Sequence, residues 1–228
     1  MYINTIIFDL DYTLIKLGRY VDWLEGRKKM VKVYLKYGVS PQILVQYTSP
    51  SLMFARMYTE LVKMFPKEKV IKIQKEASNA LSEHELKALR YVSLAPNCLR
   101  VLQELRKKGV KIGIVSLNGE QVVREVLKRT GINKYVNVWF SRDSPGRPKP
   151  YPDHIIRCLE RLHSKPQNSI MVGDEIADIN AAIEAQVLPI GIATGLYTEE
   201  ELKASGAKEV ISTLSELLSV IERLENKA

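Results

Sequence analysis

Cysteine is scarce in this chain. Its 228 residues include two, Cys98 and Cys158, with neither a pairing pattern nor the close repeats of a metal-binding knuckle. That spacing excludes a disulfide framework or a cysteine-based zinc site and suits a reducing cytoplasm. Long apolar runs are also missing. No stretch approaches the ~18 residues that a membrane span requires. No positive charge precedes the first apolar stretch, MYINTIIF, so neither a membrane helix nor a secretory signal is expected. Internal repeats, low-complexity stretches and RRM, KH or zinc-finger patterns are absent as well. What remains is 46% hydrophobic and 26% charged, a globular balance that excludes wholesale disorder. The length allows one domain, or a core carrying a smaller inserted module.

The formal net charge is +8, which invites a nucleic-acid reading, but its distribution argues against one. Residues 16–92 hold 15 Lys and Arg against 7 Asp and Glu, while the rest of the chain holds 19 of each. The surplus therefore belongs to one segment, and 16–92 is a candidate module in its own right. Two readings of it stay open. These cations can be the solvated outer faces of helices, or they can set up a field over an anion site. For the second reading Arg19 and Arg27–Lys28–Lys29 are the candidates, being nearest in sequence to the first chemical motif.

The pattern of the chain changes twice. NTIIF, at 4–8, reads as a short buried strand stopping at Asp9. From about 20 to 92 only helices are expected: WLEGRKKMVKVYLKYG closed by Gly38, SPSLMFARMYTELVKMF opened by Ser-Pro and stopped by Pro66, then a long charged helix from Lys67. After Pro96 strands and helices alternate. Helices near 96–108, 119–130 and 152–163 lead in turn to the strands VKIGIVS, VNVWFS and SIMVGD, another helix leads to VLPIGIA, and a short strand near Glu209–Ile211 precedes a closing helix. Such alternation predicts an α/β fold, a doubly wound parallel sheet with a Rossmann-like core. The expected division is residues 1–15 and 93–228 as the α/β core, with 16–92 as an inserted all-helical cap. Ligands of such sheets sit at the carboxyl ends of the strands, where the strand order reverses.

Polar residues stand at those ends. Asp9 and Asp11 follow the first strand in FDLDYTL; two carboxylates two residues apart crowd like charge unless a cation sits between them. Ser116 ends VKIGIVS and is followed by Leu117, Asn118 and Gly119, so a hydroxyl and free main-chain N–H groups precede a helix, as at a phosphate-oxygen site. Lys149 is braced between Pro148 and Pro150 in GRPKPYPD, where its ammonium can act as a positioned point charge. Asp174 and Asp178, in GDEIAD, lie one helical turn apart and offer the hard oxygen ligands that Mg²⁺ prefers. Taken singly, each has a commonplace alternative as a helix cap, a turn or a surface lysine. Together, successive strand ends supply a nucleophile, a hydroxyl, a cation and a metal carboxylate.

In this order FDLDYTL, IVSLNG, GRPKPYPD and MVGDEIAD resemble the four motifs of the haloacid dehalogenase-like hydrolases. The helical stretch between the first two is similar to the cap of the phosphoglycolate phosphatase-like subfamily. Tyr12 departs from the pattern, standing where glycine is usual before Thr13, and Leu117 separates Ser116 from Asn118. The resemblance implies a phosphatase with Asp9 as nucleophile and Asp11 as general acid and base. Mg²⁺ would be held by Asp9, Asp174 and the main-chain carbonyl of Asp11, with Asp178 behind it. The transferring phosphoryl group would be met by Lys149, Thr13, Ser116, Leu117 and Asn118. Carbon–halogen hydrolysis needs no proton for its leaving group, so Asp11 favours phosphoryl chemistry. The expected substrate is a small phosphorylated metabolite of the phosphoglycolate, glyceraldehyde 3-phosphate or sugar-phosphate class, with no nucleic-acid or membrane partner. A phosphomutase, or a phosphorylation-responsive signalling domain, is the alternative.

Overall fold

In a computed structural model the chain is described over residues 2–226. Its centre is a six-stranded sheet made of β1 (Thr5–Phe8), β4 (Lys111–Val115), β5 (Val138–Phe140), β6 (Ser169–Gly173), β7 (Leu188–Ile192) and β8 (Glu209–Ile211). The spatial order is β5-β4-β1-β6-β7-β8, and every pairing is parallel. The chain runs from β1 outward to β4 and β5, then returns to the other side of β1 for β6. The strand order therefore reverses at β1, and the crevice for ligands opens over the carboxyl ends of β4, β1 and β6.

Side-chain alternation explains how the sheet is covered. Ile6 and Phe8 join Ile112, Ile114, Ile170 and Val172 on one face, while Ile7, Val115 and Met171 point to the other. The first face is packed by α5 (Cys98–Lys107), α6 (Glu120–Thr130) and α10 (Glu216–Asn226), the second by α7 (Asp153–Leu162) and α8 (Ile176–Glu184). Cys98 and Cys158 are buried as small apolar residues, one in each cluster, and burial pushes the Cys98 thiol up to about 12. Each fully buried Leu, Ile, Val or Phe in these layers contributes about 1.5–3 kcal/mol.

Between β1 and β4 the chain is helical: α1 (Trp23–Lys36), the single turn α2 (Pro41–Leu44), α3 (Pro50–Met64) and α4 (Lys67–Ala88). The capping chemistry accounts for their ends. Asp22 accepts the Glu25 N–H, Gly38 lies just past α1 with φ 81°, Ser49 accepts the Leu52 N–H with Pro50 in the first turn, and Pro66 precedes α4. These helices have their own core of Met30, Tyr34, Phe54, Met57, Ile73 and Leu81. Two strands of two residues each, β2 (Ile15–Lys16) and β3 (Ser93–Leu94), pair antiparallel where the chain enters and leaves the segment. This ribbon and α2 were not expected from the sequence, because neither is long enough to show a period. No helix among the described residues is long and apolar enough to cross a membrane.

Candidate active site

β1 delivers Asp9 to the crevice while its N–H still donates to the Val172 carbonyl at 2.8 Å, which fixes it against β6. The chain then turns sharply: Leu14 and Ile15 both donate to the Leu10 carbonyl, and Tyr12 has φ 55°. That left-handed conformation explains why glycine would suit position 12 better. The turn directs the Asp11 carboxylate at the main chain that follows, where its Oδ1 accepts N–H groups from Tyr12 (3.0 Å), Leu17 (2.9 Å) and Gly18 (3.0 Å). Burial nevertheless pushes the Asp11 acid up to about 6 against these three donors.

Four charged side chains converge below this turn. The Lys149 ammonium donates to Asp9 Oδ1 at 2.6 Å and to Asp178 Oδ1. Asp9, Asp174 and Asp178 each bring a carboxylate oxygen within 4.8 Å of the others, and all three are buried. Burial pushes Asp9 up to about 8; Lys149 opposes the shift and Asp178 adds to it. Asp174 is raised well above the carboxylate range by burial and by Asp9. Burial alone would lower Lys149, but Asp178 and Asp9 hold it above its ordinary value. Three buried carboxylates facing one ammonium leave negative charge uncompensated, and their hard oxygen donors are those a divalent cation takes. Thr13 Oγ1 donates to Asp174 Oδ1 at 3.3 Å. A side chain at Gly195 would start 1.9 Å from Asp174 Oδ2, so only glycine lets that loop lie over the cluster.

Ser116 is tied into a compact loop. Its hydroxyl donates to Asn118 Oδ1 at 2.9 Å and accepts the Asn118 N–H at 3.1 Å. The separation by Leu117 does not keep the two apart, since the loop folds back over that residue. Asn118 Nδ2 in turn donates to Glu85 Oε1 at 3.1 Å, reaching across to α4. Glu85 is paired with Arg142 at 2.9 Å, and both side chains are 0% exposed. The Arg142 guanidinium also meets the Ser78 and Ser82 hydroxyls and donates to the Leu117 carbonyl at 2.9 Å. Ser78, Ser82 and Glu85 form a polar stripe at helical spacing, so Arg142 lies along α4. Gly119 permits this approach, since a Cβ there would fall 2.1 Å from Ser82 Oγ.

A cavity of about 170 Å³ opens onto this arrangement. The sheet side of its wall is Asp9, Asp11, Ser116, Asn118 and Glu175, and the helical side is Trp23 with Ser49, Pro50 and Ser51 at the start of α3. All the residues expected to act together do converge on one region, with two qualifications of arrangement. The Asp11 side chain faces the β2 turn while Asp178 stands in the acidic cluster. Glu85, Arg142, Glu175, Trp23 and Ser51 were not foreseen. Of these, Arg142 obeys the rule that singled out Asp9, being a polar residue just past a strand end, whereas Glu85 acts only through contacts distant in sequence, 33 residues away at Asn118 and 57 at Arg142.

The basic residues of 16–92 mostly face away from this cavity. Arg27 donates to the Leu44 and Tyr47 carbonyls, Lys28 pairs with Glu25, Lys29 with Glu83 and Lys36 with Glu76. Arg27 is thus a brace for the loop that leads to α3.

With this geometry, the sequence profile of the haloacid dehalogenase-like hydrolases matches residues 6–192. The chain belongs to that family of hydrolases. It is 26% identical over 224 residues to the pyrophosphatase PpaX of Bacillus mycoides, covering 98% of this chain and 99% of that protein. It is 27% identical over 221 residues to PpaX of Bacillus pumilus, covering 96% of each. Its fold is similar to that of a hydrolase from Pseudomonas syringae, with a TM-score of 0.67 at 21% identity over 96% of this chain and 98% of the other. CbbY from Rhodobacter sphaeroides, solved in complex with phosphate, matches with a TM-score of 0.65 at 19% identity over 94% of this chain and 96% of that one.

Proposed function

We propose that this hydrolase is a Mg²⁺-dependent phosphatase that cleaves a small phosphorylated metabolite through an aspartyl-phosphate on Asp9, with 16–92 acting as its cap. The observation that carries this reading is the buried cluster at the ends of β1 and β6, where Asp9 is held by Lys149 beside Asp174 and Asp178. The likeness to pyrophosphatases and to a phosphate-bound protein supports phosphorus as the reacting centre. A Mg²⁺ ion held by Asp9, Asp174 and the Asp11 carbonyl, with Asp178 alongside, would offset the carboxylate charge and polarise the phosphoryl group.

The residues have distinct tasks. An Asp9 carboxylate oxygen attacks phosphorus while the bond from phosphorus to the ester oxygen breaks. Asp11, protonated in part because burial has raised it to about 6, gives its proton to the leaving alkoxide. A water then attacks the acyl phosphate and passes a proton back to Asp11, which breaks the bond from phosphorus to Asp9 and releases inorganic phosphate. Lys149 keeps Asp9 oriented, and Ser116 with the N–H groups of its loop meets the phosphoryl oxygens. The helical segment closes the cavity against bulk water. Asp9→Asn removes the attacking oxygen and keeps the shape. It is expected to abolish hydrolysis of p-nitrophenyl phosphate with an unchanged circular dichroism spectrum. More than a few percent of residual turnover would refute the assignment.

A further inference from the structure

The loop between β4 and α6 carries Ser116, Leu117 and Asn118, all of which line the Asp9 cavity. A loop that meets phosphoryl oxygens must offer them N–H and O–H groups and keep its carbonyls otherwise engaged. Two of its carbonyls are taken up by a single residue. The Asn118 carbonyl accepts the Arg142 N–H at 2.9 Å, and the Leu117 carbonyl accepts from the Arg142 guanidinium, also at 2.9 Å. Neither is then free to oppose an anion. The Leu117 N–H has no hydrogen-bond partner among the described residues, so a donor remains in the cavity wall. Asp143, next to Arg142, accepts the Glu120 N–H at 2.7 Å and ties the start of α6 to the same segment.

A second hold on the loop comes from α4. Glu85 Oε1 accepts from Asn118 Nδ2 at 3.1 Å, and Oε2 accepts the Gly119 N–H at 3.4 Å. The same two oxygens accept from Arg142, Nη1 to Oε1 at 3.1 Å and Nη2 to Oε2 at 2.9 Å. The carboxylate is thus shared between the guanidinium and the loop. Through Asn118 the hold reaches Ser116, whose hydroxyl donates to Asn118 Oδ1.

Docking of α4 does not by itself call for this pair. The guanidinium already reaches α4 through the Ser78 and Ser82 hydroxyls and the Ser78 carbonyl. Burying two charges costs desolvation that apolar side chains of similar volume avoid. Apolar packing, however, has no direction. It would leave the Leu117 carbonyl, the Asn118 amide and the Gly119 N–H without the partners they have here.

We propose that Glu85 and Arg142 are positioning residues of the phosphatase, holding the loop after β4 so that the Ser116 side chain and the Leu117 N–H are presented to the transferring phosphoryl group. This rests on the phosphatase reading above. It makes the helical segment part of the machinery that shapes the phosphate site, since Glu85 belongs to α4, while Arg142 links α4 to the sheet.

The test uses p-nitrophenyl phosphate with wild type, Glu85→Gln and the double variant Glu85→Leu with Arg142→Met. Glu85→Gln keeps the shape of the side chain, but its amide nitrogen leaves a loop donor, on Asn118 or on Gly119, without an acceptor. The double variant strands no charge and fills the same space. In each, kcat is expected to fall by about tenfold to a hundredfold, as a misplaced group near the reacting atoms costs, with a smaller change in KM. The inhibition constant of orthovanadate, which copies five-coordinate phosphorus, should rise by a similar factor. Circular dichroism and urea unfolding establish that each protein is folded when assayed, and either variant alone is decisive. A folded double variant that turns over as wild type does would mean that the pair only docks α4, which overturns the inference and leaves the phosphatase standing. Unchanged kcat and vanadate inhibition in Glu85→Gln would do the same. Absence of turnover by wild type would overturn the phosphatase reading as well.

Discussion

Asp11 spends its carboxylate on three main-chain N–H groups of the β2 turn, yet burial raises the acid to about 6, which suits a group that must both give and take a proton near neutral pH. Asp11→Asn keeps the backbone carbonyl and loses the proton. The expected loss is about 10²–10⁴ in rate for an alkyl phosphate. It should be much smaller for p-nitrophenyl phosphate, whose leaving group needs no protonation, and equal losses on the two would take acid catalysis away from Asp11. At this scale the sequence was most legible for residues placed by strand ends. Asp9, Ser116 and Asp174 could be named because a short apolar run that stops at a polar residue fixes both position and direction. Glu175 was passed over because an acid beside Asp174 looks like a capping residue, which it also is. Arg142, two residues past β5, is not legible because its partner is on a helix far away in sequence.

Among the elements, α4 does most to join the helical segment to the sheet. Its Ser78, Ser82 and Glu85 stripe reads in the sequence as polar surface, since nothing local distinguishes a stripe facing water from one facing a buried guanidinium. The strand–helix alternation after Pro96 was legible to within a residue or two, because each strand there is an apolar run and each helix has an apolar face. The β2–β3 ribbon was not. Removing one partner of the fully buried pair leaves the other charge stranded, so Arg142→Met should lower the unfolding free energy by about 3–5 kcal/mol. The double variant Glu85→Leu with Arg142→Met should regain a good part of that loss. Urea unfolding of wild type, Arg142→Met, Glu85→Leu and the double variant checks this, and a double variant that merely sums the two single losses would show that the pair is not coupled.

For the molecule as a whole, charge and pH act through buried groups more than through the basic surface. His154 is fully buried, its Nε2–H donates to the Ser144 carbonyl at 3.2 Å, and its Nδ1 has no partner among the described residues. Burial lowers its pKa from 6.5 to about 4. The folded state thus binds this proton less well than the unfolded state does, so its contribution is complete above pH 6.5 and is lost as pH falls toward 4. The loss amounts to about 3 kcal/mol. The difference in urea midpoint between wild type and His154→Phe should therefore shrink or reverse from pH 7 to pH 4, and a constant difference would refute it. The net charge of the chain was legible from composition, but the partners of individual cations were not: Arg27 donates to the Leu44 carbonyl and Lys29 pairs with Glu83. Chelation by EDTA should abolish turnover and Mg²⁺ restore it, whereas Ca²⁺, larger and of higher coordination number, should restore little. The central claim is that phosphate passes through Asp9, and borohydride trapping during turnover tests it most directly. Reduction of an acyl phosphate converts the aspartate to homoserine, which peptide mass spectrometry locates. The account predicts homoserine at position 9, dependent on substrate and absent from Asp9→Asn. Rapid turnover with no homoserine, or with homoserine at Asp11, Asp174 or Asp178, would contradict it.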